Sequence, residues 1–189
     1  MRSVILASSS GQRQQIFANA GIPFAVEESK YQEDMTLPLA PQQLVQRLAR
    51  GKAEEVAKRH ADAVVIGADT IVVQGSKIFG KPLTAKRAGE MLRALSGGTH
   101  EIVTGFAIVD TKSGKSTTRA VGTTVRFRAL SNEEIDAYVK SGEPLDKAGG
   151  YAIQSGGKNF VEQIDGEEDN ARGLPLKEVL EELAKFGVV

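Results

Sequence analysis

From Ala63 to Val73 the chain reads Ala-Val-Val-Ile-Gly-Ala-Asp-Thr-Ile-Val-Val, a β-branched apolar run with one acid set inside it. A near-continuous apolar run of this kind is what a strand buried on both faces looks like, rather than one with a wet side. A carboxylate in such a strand is costly unless it is paired, hydrogen-bonded or bound to a metal. Asp69 therefore has two readings. It is a functional acid, or the chain bends there and Asp69 and Thr70 bond backbone amides.

Around this run, strand and helix patterns alternate. Val4 to Ala7 reads as a buried strand, and a helix follows from about Ser10 to Gly21, with Pro23 just beyond its stop. Phe24 to Glu28 is a second short strand. A long helix runs from Pro41, a residue suited to a first turn, to about His60. Thr84 caps a helix carrying Met91, Leu92 and Leu95, which Ser96-Gly97-Gly98 stops. Glu101 to Val109 and Arg119 to Arg128 flank the turn Thr111-Lys112-Ser113-Gly114 and read as a long hairpin. Ser131 and Glu134 form a capping box for a helix bearing Ile135, Tyr138 and Val139. Leu176, Val179, Leu180 and Leu183 give a last helix its inward stripe. The expectation is a mixed α/β fold of one domain, or one domain with a small lobe, whose strand order is not readable.

Composition narrows the function. The 189 residues can bury a sizeable core, and 24 basic residues balance 24 acidic ones. Coating nucleic acid or an anionic membrane selects strongly basic faces, so neither is expected. With no cysteine there is no disulfide, thiol nucleophile or cysteine-ligated metal. His60 and His100 lack ligand-like spacing and read as surface or loop residues. The opening Met-Arg-Ser-Val-Ile-Leu-Ala has too short an apolar stretch for a signal peptide, and no run approaches the roughly 20 apolar residues of a membrane span. A soluble cytoplasmic protein is expected.

Four segments carry candidate chemistry. At Ala7-Ser8-Ser9-Ser10-Gly11-Gln12-Arg13 a buried strand hands over to a helix, whose first amides point outward. Arg13 sits in the first helical turn, where a cation is mildly unfavourable unless an anion lies nearby. This reads as a phosphate site or as a plain serine cap. Lys52 lies four residues from both Leu48 and Val56, on or beside the apolar stripe of the long helix. It either snorkels to solvent or reaches an anion in a cleft. Gly75 to Pro82 nearly matches the phosphate loop G-x-x-x-x-G-K-[ST], but Pro82 removes the metal-binding hydroxyl and favours an extended path. A Walker-type ATPase is rejected, and Lys81 remains a phosphate contact on a loop. Gly142 to Gln154 is glycine-rich, with Tyr151 able to pack against a ring and Gln154 able to bond a base edge. Asn170 to Pro175 is similarly suggestive and similarly weak.

Taken in order, these segments resemble the Maf family of nucleoside triphosphate pyrophosphatases. The family's Leu-Ala-Ser-x-Ser-Pro-Arg-Arg appears as Leu6-Ala7-Ser8-Ser9-Ser10-Gly11-Gln12-Arg13, its Gly-Ala-Asp-Thr as residues 67–70 and its Gly-Lys-Pro as residues 80–82. Leu95-Ser96-Gly97 through His100, Val103-Thr104-Gly105, Lys147 to Gln154 and Asn170/Gly173-Leu174-Pro175 complete the series. The resemblance implies a twisted mixed sheet with flanking helices and two lobes around a deep cleft, shared with inosine triphosphate pyrophosphatases. It implies hydrolysis of a nucleoside triphosphate to the monophosphate and pyrophosphate with a divalent metal, Mg²⁺ or Mn²⁺. It makes Asp69 the proton acceptor, sets Arg13, Lys52 and Lys81 around the triphosphate with Ser8 and Ser10, and gives Glu33 to the metal or the water. Whether Asp69 holds the metal or takes the proton stays open.

In the family one branch prefers dTTP and UTP, and another, with tryptophan for the first arginine and no threonine after the aspartate, prefers 7-methyl-GTP. Thr70 and Gln154 match the pyrimidine branch. Gln12 matches neither, since it offers no charged bidentate fork and no aromatic face. The expected substrates are dTTP and UTP. A house-cleaning enzyme for modified nucleotides and a nucleotide-binding regulator of cell division are the alternatives. A homodimer would be unsurprising.

Overall fold

The computed structural model describes residues 2–188. Strands β1 (Ser3–Leu6), β2 (Ala25–Val26), β3 (Ala63–Gln74), β4 (Lys77–Phe79), β5 (Thr99–Asp110), β6 (Ser116–Phe127) and β7 (Val161–Asp165) form a seven-stranded sheet. Its order is β2-β1-β3-β5-β6-β7, with β4 paired to β3. The helices are α1 (Gly11–Ala18), α2 (Pro41–Ala57), α3 (Ala85–Leu95), α4 (Asn132–Lys140), α5 (Glu168–Ala171) and α6 (Leu176–Ala184). The mixed α/β expectation holds, and each predicted helix forms within a few residues of its predicted ends. Among the described residues no helix is long and apolar enough to cross a membrane.

Two compact units share this chain. The first takes the chain up to Asp69, Thr104–Val121 and everything from Gly173 on; the second takes Thr70–Val103 and Gly122–Arg172.

In the first unit, β1 pairs in parallel with β2 and with β3, Ile5 opposite Val65. Alternation along these strands sorts their side chains onto two covered faces. Val4, Leu6, Val64 and Ile66 meet Ile16 and Phe17 of α1 and Val179 and Leu183 of α6. Ile5, Ala7, Ala63 and Val65 meet Ala49, Ala53 and Val56 of α2. Both faces are dry, which is why β3 has no polar alternation. The α2 face is built from small residues, and two glycines set the spacing. A Cβ at Gly67 would lie 2.3 Å from the Ala49 carbonyl oxygen, and one at Gly105 would lie 2.4 Å from the Val45 carbonyl carbon. Backbone cannot swing aside as a side-chain tip can, so either glycine changed to alanine forces α2 off the sheet. Gly105→Ala is expected to cost about 1–3 kcal/mol in urea unfolding, the range for overpacking a tight core.

The second unit packs Leu92 and Leu95 of α3 and Ile135 and Tyr138 of α4 around Val125, Phe127, Tyr151, Ile153 and Phe160. Gly75, with φ of +60°, turns the β3–β4 hairpin, and Thr84 Oγ1 accepts from Arg87 N (3.3 Å) to open α3. The near-match to a phosphate loop is thus a hairpin and a separately capped helix. His100, expected at the surface, is 3% exposed in β5. It stands edge-on to Phe127 and Tyr151, with 2.7 Å from its Nε2 to the tyrosine oxygen. Tyr151 is likewise core, packed on Phe127 and buried, not a free ring for stacking.

Candidate functional site

The alternation of β3 decides where Asp69 points. Residues 63, 65 and 67 lie against α2, with Gly67 directly under Ala49 and Ala53. Two residues further on, Asp69 stays on that face and meets the next side chain the helix offers, Lys52. The ammonium of Lys52 hydrogen-bonds the Asp69 Oδ1 and sits 2.8 Å from Glu33 Oε1. No bend occurs at Asp69, which lies within a regular strand and is 6% exposed. Burial of this acid is tolerated because its partner is at hand. Lys52 is itself mostly buried, its side chain 12% exposed, whereas that of Glu33 is 42% exposed. Lys52 turns to these two carboxylates rather than running out to solvent.

At the start of α1 the serines organise the first turn. Ser10 caps the helix, its Oγ accepting from Arg13 N (3.4 Å), and Ser10 N donates to Ser8 Oγ (3.3 Å). Arg13 Nη1 also donates to Ser8 Oγ (3.5 Å), and Arg13 Nε donates to the Gly173 carbonyl (2.7 Å). The guanidinium is thereby held in place. Burial lowers its affinity for a proton below the ordinary arginine value, while Asp69 and Glu33 act in the opposite direction. Arg13 thus lies in the field of the same two carboxylates that Lys52 joins.

Ser8, Ser10, Arg13, Glu33, Lys52 and Asp69 therefore form one polar cluster in the first unit, with Gln12 half-buried in the first turn of α1. Lys81, Thr70 and Gln154 belong to the second unit. Lys81 is exposed on the segment between β4 and α3, Thr70 is half-buried in β3, and Gln154 is exposed beyond Tyr151.

Two residues of the Asn170 to Pro175 motif, only weakly suggestive in sequence, have definite partners. Gly173, in a motif read as weak, supplies the carbonyl that holds Arg13. Asn170 of the same motif is buried and donates to Thr123 Oγ1 (2.9 Å) and the Ile102 carbonyl (3.3 Å). Nothing in local composition separates the two roles.

The donor chemistry can be tested against a divalent cation. Among the described residues no group of three or more histidine, aspartate and glutamate side chains is placed to hold a metal. Asp69 and Glu33 instead offer an all-oxygen pair. That suits Mg²⁺ or Mn²⁺, which take one or two carboxylates and complete their shells with phosphate oxygens and water.

Comparison with known proteins adds the following. A family model described as Maf-like protein matches residues 3–186. A dTTP/UTP pyrophosphatase of Bacillus cereus (strain AH820) is 45% identical over 188 residues, covering 100% of this chain and 97% of that protein. A dTTP/UTP pyrophosphatase of Bacillus mycoides (strain KBAB4) is 45% identical over 186 residues, covering 98% and 96%. The solved structure of the Staphylococcus aureus Ham1 protein superposes with a TM-score of 0.50 at 14% identity, covering 95% of this chain and 98% of that one, a likeness of fold alone.

Proposed function

The chain belongs to the Maf-like protein family, and from that premise we propose that it hydrolyses a nucleoside triphosphate, dTTP or UTP, to the monophosphate and pyrophosphate. The observation that carries this reading is Lys52 clasped between Asp69 and Glu33, with Arg13 in their field. Full-length similarity to proteins named for that activity supports it.

Charge explains the arrangement. Arg13 and Lys52 bring two positive charges, Asp69 and Glu33 two negative ones, so the cluster is neutral as it stands. A triphosphate carries about four negative charges near neutral pH. The cluster alone cannot offset them. Asp69 and Glu33 would hold a divalent cation, which when bound supplies two further positive charges and acidifies an attached water. In this reading Arg13 and Lys52 bind the phosphates, and the outward amides of α1 add further donors. Water attacks the α-phosphorus, the bond from that phosphorus to the bridging oxygen breaks, and pyrophosphate leaves. Asp69, where it does not hold the cation, takes the proton from the water. Gln12 is assigned to the base, and the family resemblance alone gives Lys81, Thr70 and Gln154 to the substrate. Gln12 provides an uncharged amide where an arginine fork would discriminate more sharply.

Pyrophosphate release from dTTP, UTP, dCTP, GTP and 7-methyl-GTP, with Mg²⁺ and Mn²⁺, tests this. The expected result is the highest kcat/KM for dTTP and UTP and no turnover in chelator. Calorimetric binding of nucleotides with no pyrophosphate released would overturn it in favour of a binding protein.

A further inference from the structure

Glu33 has no element of regular structure to position it. It lies between β2 and α2, on a segment from Glu27 to Asp34 that has no secondary structure of its own. Yet this segment is pinned to α2 and the turn that follows it. Glu27 pairs with Arg59 and lies 2.7 Å from His60 Nε2. Glu55 Oε2 accepts from Lys30 N (2.8 Å) and Ser29 Oγ (3.1 Å). The ring of Tyr31 lies over Gly51, where a Cβ would stand 2.3 Å from its Cζ. Glu33 then meets Lys52 at 2.8 Å.

The order of these contacts is informative. As the segment advances through residues 27, 29–30 and 31, its partners descend through 59–60, 55 and 51, and Glu33 then meets Lys52, the neighbour of the last of these. An extended chain covers about 6.6 Å in two residues and a helix rises about 5.4 Å per turn, so the two repeats nearly match. The segment is a strap running antiparallel to α2, fastened about once per helical turn. Its last fastening is the ion pair of the proposed site. Gly51 is the oddest member, because glycine in a helix interior is unfavourable. The seat it makes for Tyr31 is a physical reason for its presence.

We propose that Tyr31, seated on Gly51, and Glu55 are positioning residues that hold Glu33 at Lys52 and Asp69. The part of this that concerns activity rests on the function proposed above; the docking of the strap does not.

The test uses the full chain as wild type, Gly51→Ala, Tyr31→Ala, Tyr31→Phe, Glu33→Gln and the doubles Y31A/G51A and G51A/E33Q. Alanine is the better helix former, so Gly51→Ala leaves α2 formed while lifting the ring. The first readout needs no substrate. Native-state trypsin cleavage after Lys30, followed by mass spectrometry, is expected to rise several-fold in G51A and Y31A and to stay at the wild-type rate in Y31F, which keeps the ring. Circular dichroism melts confirm that each variant is folded. The second readout is turnover of dTTP. G51A is expected to lower kcat about three- to tenfold and raise the Mg²⁺ concentration for half-maximal rate, and Y31A/G51A to be no slower than Y31A. On an E33Q background G51A should have no further effect, since the effect runs through Glu33. Wild-type cleavage after Lys30 in G51A would overturn the inference. So would a G51A effect on turnover that is undiminished in E33Q. Wild-type turnover in E33Q would instead overturn the role given to Glu33, leaving the cleavage result to judge the strap.

Discussion

Asp69→Asn is expected to lower turnover of dTTP by roughly 10²-fold or more, the scale on which a positioned proton acceptor contributes. The substitution is nearly isosteric, so β3 keeps its packing against α2. It leaves Lys52 with Glu33 at 2.8 Å and so does not strand a buried ammonium without a counter-charge. Lys52 is a poorer choice for this experiment. Removing it would leave Asp69 and Glu33 facing each other unbalanced, and breaking a buried pair from one side destabilises by several kcal/mol for reasons unrelated to chemistry. The measurement is kcat and KM for dTTP at saturating Mg²⁺, with urea unfolding on the same preparation. A fall in kcat with unfolding unchanged supports the role of Asp69. Wild-type turnover would refute it. Loss of turnover together with loss of the folded state would show that the acid is needed to balance Lys52.

The reach of the sequence over this site followed the range of each interaction. Asp69 was legible because its anomaly is local: one acid in an apolar, β-branched run. Its partner was not. The stripe of α2 placed Lys52 at the edge of the buried face, but helix spacing says nothing of which strand that face will cover. The answer came from Gly67, whose missing side chain lets α2 sit low enough for Lys52 to reach the residue two places along. Glu33 was reached only through resemblance, since a strap without regular structure has no period to detect. Its fastenings, Glu55 and Gly51, carry no local signal in the sequence that marks them as partners of a distant segment. The mixed α/β fold was readable from alternating patterns and helix caps. The order of the strands was not, because it is fixed by pairings between segments far apart in the chain, such as β3 with β5 across α3.

His100 shows the opposite failure, and its correction carries a strong consequence for stability. Two histidines without ligand spacing read as solvent residues, yet His100 is enclosed by Phe127 and Tyr151 in the second unit. Burial alone brings its pKa down from 6.5 to about 4, with no neighbouring charge involved. Its Nδ1 has no hydrogen-bond partner among the described residues, so the protonated ring would bury an N–H with nothing to accept it. The sign follows directly. Below pH 6.5 the unfolded chain binds a proton at this site and the folded chain does not, so stability is full above that value, falls as the medium is acidified, and levels off near pH 4. The full effect is about 3 kcal/mol, and about 2 kcal/mol of it should appear between pH 7 and pH 5. The strongly lowered carboxyls of Glu55 and Glu134, both brought to about 2 by arginine partners, act in a separate window below about pH 4.5. Urea unfolding at half-unit steps from pH 7.5 to 4.5 measures the slope. His100→Gln, which keeps an amide within reach of the Tyr151 hydroxyl and cannot titrate there, should flatten it. An equal slope in the two proteins would assign the acid sensitivity elsewhere and leave the buried imidazole without influence on it.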